Sequence, residues 1–284
     1  MPEALTTTNH SRDIAGLKYV YPVISRRAGG LSIGVNFNPN NACNWRCIYC
    51  QVPNLKRGNA PEMDFALLAD ELRVFLNDVL HGDFFDRFNV ASEQRVIKDI
   101  AISGNGEPTS LKDFDKAVRL IGEMATEAGI FPASRFVLIS NGSLVHQASV
   151  QAGLKELARY GGEIWFKLDS ATEAGRKSIN NTGQGRQKLL THLKIAAGLC
   201  PIKLQTCVFH CGRDIWSDQE KKAYLNLLER LSNEGIGIRR VLLYSIARQS
   251  LQPEAESLEN ADLEELNALA ADIKALGYDV GVSV

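Results

Sequence analysis

Asn41-Ala42-Cys43-Asn44-Trp45-Arg46-Cys47-Ile48-Tyr49-Cys50 is the stretch on which the reading of this chain turns. It holds three of the six cysteines, in the spacing C-x3-C-x2-C. So short a loop can fold three thiolates onto one metal centre, and soft thiolates select zinc, copper(I) or iron–sulfur clusters. Zinc ordinarily takes four protein ligands, often as two C-x2-C pairs, and no second pair lies nearby. Three ligands in one tight loop suit a cubane cluster with the fourth iron left open. A zinc site and three reduced core cysteines are the competing readings. Cys200, Cys207 and Cys211 form a looser group. Cys207 reads there as a small core residue, and Cys211, near a strand end, as the one able to face a cavity.

Outward from that loop, short apolar runs alternate with helical patterns. Strands are expected at Leu31–Phe37, Asp99–Ser103, Arg135–Ser140, Glu163–Asp169, Ile202–Phe209 and Arg239–Ser245. Most are too short and too continuously apolar for amphipathic helices. Glu62–Leu80 puts Phe65, Leu68, Leu72, Phe75, Leu76 and Val79 on one helical face. Ser217-Asp-Gln-Glu220 reads as a capping box opening a helix to about Glu234, and Asp262–Leu276 as a further helix stopped by Gly277. Strands each followed by a helix call for an α/β fold, a parallel sheet covered by helices in one domain. The cysteine loop, Gly104-Asn-Gly-Glu107, Ser140-Asn-Gly142, Lys167-Leu-Asp169 and Ser245-Ile-Ala-Arg248 all fall at carboxyl ends of expected strands. In a parallel β/α architecture those ends share one face, where active sites are built.

The chain has 284 residues, 45% hydrophobic and 23% charged, which excludes a disordered or fibrous protein. A net charge of −1 supplies no broad attraction to nucleic acid. No apolar run approaches the ~18 residues of a membrane span. Met1–Asp13 is polar and lacks the apolar core of a leader, so the cytoplasm is the expected compartment.

C-x3-C-x2-C with an aromatic residue, Tyr49, just before the last Cys resembles the radical S-adenosylmethionine (SAM) superfamily. The resemblance implies a partial (β/α)6 barrel of parallel strands with outer helices. Residues 21–284 would form that single domain, after a flexible segment 1–20. It also implies a [4Fe-4S] cluster held by Cys43, Cys47 and Cys50, whose unique iron chelates SAM. One electron, from a reductant such as flavodoxin or ferredoxin, then yields a 5′-deoxyadenosyl radical that abstracts hydrogen.

Other motifs agree. Gly104, Asn105, Gly106 and Glu107 resemble the family's Gly-Gly-Glu element, with Asn105 inserted. Glycines there let backbone approach a ligand, and Glu107 adds an anionic partner for the SAM ammonium. Ser140-Asn-Gly142 looks like the family's Thr-Asn-Gly, making Asn141 a ligand contact or a turn cap. Strand alternation puts Lys167 and Asp169 on one face, where they meet the ligand's polar groups or each other. Gln205, polar within an apolar strand, is expected to reach the same cavity. The overall look is nearest to the wyosine-synthase-like branch. Residues 1–42 contain no Cys, however, and the pyruvate-using members carry a second cluster upstream.

Ser170–Arg186 and the loop after Arg248 are expected at the active face, against a substrate that is an RNA base, a partner protein or a small molecule. His81–Lys98 is expected on the opposite face. A metal- or cluster-binding module without turnover is the alternative from another class, and a glycyl-radical-type activase the alternative within enzymes.

Overall fold

The computed structural model describes residues 5–6, 15–25, 29–212 and 216–283. Eight strands form one sheet in sequential order: β1 Val20–Ser25, β2 Gly30–Val35, β3 Ile97–Ile102, β4 Arg135–Ser140, β5 Glu163–Lys167, β6 Ile202–Cys207, β7 Ile238–Tyr244 and β8 Val280–Ser283. Neighbours from β2 to β8 pair parallel, and β1 pairs antiparallel with β2. The sheet is a curled half-barrel with β1 and β8 at its two edges.

Alternation decides which residues face where. Ile33, Val35, Ile100, Ile102, Phe136, Leu138, Ile164, Phe166, Leu204 and Leu243 are buried in the main core between sheet and helices. Each such side chain contributes on the order of 1.5–3 kcal/mol, so the register is firmly set. The intervening residues point to the concave side. There Ala101, Val137 and Trp165, with Ile139 and Leu242, form a separate small apolar floor.

The outer layer is α1 Phe65–His81, α2 Phe84–Arg87, α3 Phe114–Glu127, α4 Ala148–Arg159, α5 Glu173–Asn180, α6 Arg186–Leu199, α7 Asp218–Asn233 and α8 Leu263–Ala275. The full capping box predicted for α8 is present on Asp262 and Glu265. At α7 only half of it forms. Ser217 accepts the Glu220 N–H, while the Glu220 carboxylate turns away to Ser170, Ala171 and Thr172. His81–Lys98 lies toward the amino end of β3 as expected, and packs locally through Phe84 and Phe88.

Two strands exceed the six expected, β1 and β8, so the sheet is larger than a six-stranded (β/α)6 unit. Residues ahead of the expected boundary at residue 21 also pack onto this domain. Leu5 is buried and its N–H bonds Phe88 O at 3.1 Å. The Glu71 carboxylate accepts the N–H groups of Lys18, Tyr19 and Val20. The remainder of the segment expected to be flexible, residues 1–4 and 7–14, lies outside the described residues. No helix among the described residues is long and apolar enough to cross a membrane.

Candidate functional site

The carboxyl ends of the strands open onto a cavity of about 370 Å³ inside the half-barrel. Cys43, Cys47 and Cys50 stand on its wall, with Gly104, Gly106 and Glu107 after β3, Asn141 after β4, Lys167 from β5 and Gln205 from β6. The strand-end rule therefore gathers most of the expected residues around one space.

The cysteine loop is held from several sides. Ala42–Cys43 pairs with Lys56–Arg57. Backbone N–H groups of Arg46 and Ile48 donate to Asn180 and Ile179 at 3.2 and 2.8 Å, while Trp45 and Ile48 are buried anchors. From the loop after β7, the Leu251 N–H reaches Cys50 O at 2.9 Å and Ser250 Oγ donates to Ile48 O at 2.8 Å. Arg46 and Glu254 form a two-pronged pair at 2.8 and 2.6 Å.

The donor set fits a thiophilic metal centre. The Trp45 N–H points at Cys43 Sγ (3.4 Å) and Asn180 Nδ2 at Cys47 Sγ (3.2 Å), so two sulfurs already receive donors suited to thiolates. Burial, with Asp169 nearby, pushes the Cys47 thiol up to about 12. Burial raises Cys43 further still, with Glu107 adding to it. Ionised sulfur is thus costly here unless a cation accompanies it. Among the described residues no three His, Cys, Asp or Glu side chains are already closed into a metal-holding group. The loop supplies three donors on one wall.

Gly104 and Gly106 do a second job beside the one expected. A Cβ on Gly104 would lie 2.2 Å from Asn36 Oδ1, and one on Gly106 2.0 Å from Ala42 O. The glycines let their turn dock against the cysteine loop, and they face the cavity as a consequence. The Asn105 N–H donates to Asn36 Oδ1 (3.0 Å) and its Nδ2 to Asn41 Oδ1 (2.6 Å), so Asn105 braces that loop instead of lining the cavity.

Glu107 is buried, which raises its carboxyl above the usual range against the opposing hydrogen bonds. Oε1 accepts from the N–H and hydroxyl of Thr109 and the hydroxyl of Ser140, and Oε2 from the Asn141 N–H. Three of these four donors crowd onto Oε1, so Oε2 carries a single one and is the oxygen able to meet a ligand. The main role of Glu107 is to tie the β3 and β4 ends together. Asn141 donates to Asn44 Oδ1 (2.9 Å) and caps Ser143 (2.9 Å), so it is a turn cap that also lines the cavity.

Asp169 is the clearest correction. It is not on the cavity wall. Oδ2 accepts from Tyr49 OH (2.6 Å) and Asn180 Nδ2 (2.8 Å), and Oδ1 from the Cys207 N–H (3.1 Å), with Lys167 Nζ at 3.8 Å. The mutual ion pair is the reading realised, extended into a network that moors Tyr49 and Asn180 beside the cysteine loop. Lys167 does face the cavity, its Nζ on Tyr244 OH at 2.8 Å and over the Tyr49 ring at 5.0 Å. Burial alone would lower its pKa, but Asp169 and Tyr244 together hold it well above the usual lysine value. Gln205 is buried with Oε1 unpartnered among the described residues, an acceptor with a place for a ligand donor.

Sequence reasoning misplaced the second cysteine group. Cys207, not Cys211, lines the cavity, and Cys200 bonds Gly162 O at the far end of β6. Ser170–Arg186 does not line the cavity but backs the cysteine loop through Ile179 and Asn180. The residues of the β7 loop that do line it are Ile246, Ala247 and Arg248. Asn36, Asn44 and Asn180 were missed, because short amides in loops or at a helix end carry no signal until their partners are known.

A smaller polar cluster flanks the Asn141 loop. His192 is buried, stacks on His146 (5.2 Å, 19°) and meets Gln184 Nε2 at 3.2 Å. Burial, then His146, lowers its pKa to about 4, so between pH 6.5 and 4 the unfolded chain binds the extra proton. Stability is therefore expected to be complete above pH 6.5 and to fall as pH drops towards 4. Melting curves of wild type and His192→Gln across that window check this, and an equal acid loss in both removes His192 as the cause.

The family model described as the Radical SAM superfamily matches residues 37–243. Among solved structures, a radical SAM methyltransferase from Sphaerobacter thermophilus aligns at TM-score 0.61 and 15% identity, covering 93% of this chain and 68% of that one. A TYW1 structure with a lysine–pyruvate adduct bound aligns at TM-score 0.57 and 17% identity, covering 87% of this chain and 74% of that one. A UPF0026 protein of Helicobacter pylori strain J99 is 30% identical over 146 residues, 48% of this chain and 38% of that protein. The chain spans well under half the length of the curated relatives it matches, 19% in one case.

Proposed function

The chain belongs to the radical SAM superfamily, and on that premise we propose that residues 21–284 act as one enzymatic domain that cleaves SAM reductively and uses the radical on a substrate still to be identified. A [4Fe-4S] cluster on Cys43, Cys47 and Cys50 would supply the electron and the 5′-deoxyadenosyl radical when SAM is bound. The carrying observation is a cysteine loop set on the wall of a cavity, with a charged amine, a free amide oxygen and an apolar floor inside. A metal-storage module has no use for that space.

The chain's own residues hold, orient and shield. Gln205 Oε1 and Glu107 Oε2 accept donors from the ligand. The Lys167 ammonium, kept charged by Asp169, faces a carboxylate. Ala101, Val137 and Trp165 exclude water from one side, as radical chemistry requires. A reducing cytoplasm suits unpaired thiols and cluster alike.

Anaerobic reconstitution is expected to give about four irons and four sulfides per chain, and reduction in the presence of SAM to release 5′-deoxyadenosine. A colourless protein holding stoichiometric zinc, inert to SAM, overturns the reading.

A further inference from the structure

We propose that the outer side of the cysteine loop is the docking surface for an acidic one-electron carrier protein; this rests on the cluster assignment above. Although the chain as a whole carries a charge of −1, cations collect at this place. Lys56 and Arg57 follow the loop, Lys177 lies one turn before the end of α5, and Arg186 opens α6; all four are exposed. Arg57 spans the group, donating to Asn44 O and, at 2.6 Å, to Asn181 O. Both acceptors are neutral carbonyls, so its charge stays uncompensated. Among the described residues Lys56, Lys177 and Arg186 make no ion pair. Two carboxylates are near. Glu173 accepts the Arg186 backbone N–H at 2.8 Å, and Glu254 is occupied by Arg46.

The patch also lies directly behind the cysteine loop. Asn181 Nδ2 donates to Arg46 O at 2.8 Å, and its neighbour Asn180 touches Cys47 Sγ at 3.2 Å. Lys56 and Arg57 pair with Ala42 and Cys43, so a carrier seated on this patch lies beside a cluster ligand. It would give up one electron, the cluster would gain it, and no atom changes place. None of the four cations lines the cavity. A nucleic-acid substrate would have to deliver a base through the cavity mouth, so charge displaced from that mouth favours a protein electron donor.

The test uses a bacterial flavodoxin as probe and the variant Lys56→Glu/Lys177→Glu/Arg186→Glu. Two readouts are taken: flavodoxin binding to the apoprotein by calorimetry, and the rate of cluster reduction by flavodoxin hydroquinone against that by reduced methyl viologen. Steering by a charged patch changes association by roughly 10- to 1,000-fold. The variant is expected to lose at least about 10-fold in binding and in flavodoxin-driven rate, with the viologen rate within about 2-fold of wild type. Wild-type binding should also weaken steeply with salt. Unchanged flavodoxin binding overturns the proposal, as does a variant that binds flavodoxin normally while losing affinity for bulk tRNA, which would make the patch a nucleic-acid surface. A wild-type protein that loads no cluster overturns the assignment of function instead, and the apoprotein measurement still decides the docking surface.

Discussion

Alanine at any one of Cys43, Cys47 or Cys50 is expected to strip the protein of its iron and abolish SAM cleavage. The effect is all-or-none because of the ligand count. Three thiolates serve a cubane that already has one open iron, and two cannot retain it. The expected content falls from about four irons per chain to nearly none. Folding should survive, since the three side chains are only half-buried and the loop is held by its backbone, Trp45 and Ile48. Alanine at Cys200, Cys207 or Cys211 should leave the iron unchanged. Cys200 and Cys207 sit at opposite ends of β6, about 20 Å apart at the usual strand rise, so they cannot share a cluster. Iron assays and visible spectra on all six variants decide the matter. Loss of about half the iron in one of the second group would reveal a second cluster.

How much of this was legible beforehand follows from how each signal arises. The six inner strands were readable because burial on both faces makes near-continuous apolar runs. β1 and β8 were not. Val20-Tyr-Pro-Val-Ile-Ser25 contains Pro22, which demotes a strand except at an edge, and an edge is where it lies. Val280–Ser283 has four residues with Gly281 among them. The gathering of motifs at strand ends was legible because it depends on topology alone.

The partners of the carboxylates were not legible. Glu107 and Asp169 look in sequence like groups awaiting a ligand and Glu220 like half of a capping box, yet each is taken up by N–H and O–H donors of adjoining loops. A buried carboxylate in a strand-end loop has two ways to be satisfied, and only the fold shows which one operates. Glu71 gives the converse case. It sits on the apolar face of α1 between Leu68 and Leu72, and that misplacement was a signal that it would capture backbone, as it does for residues 18–20.

Asp169→Asn is expected to destabilise the fold itself, not merely to weaken ligand binding. The amide keeps the size of the carboxylate but removes the charge opposite Lys167, whose ammonium then remains inside with two phenol rings and no anion. Breaking a buried ion pair from one side costs about 3–5 kcal/mol. In a chain of this size that lowers Tm on the order of 10 °C. The amide has one acceptor oxygen where the carboxylate had two, so its NH2 is turned against either the Tyr49 and Asn180 donors or the Cys207 N–H. The cysteine loop is loosened with them, and SAM affinity falls although Asp169 does not face the cavity. Lys167→Met/Asp169→Asn separates this account from direct contact. Removing both charges lifts the penalty of the orphaned ammonium, so the double variant should recover much of the lost Tm. A carboxylate that touched SAM would leave Tm near wild type in the single variant and gain nothing from the second change. Melting curves of the apoproteins, with no cofactor present, are therefore the deciding measurement, and a single variant within about 2 °C of wild type would refute the mooring role.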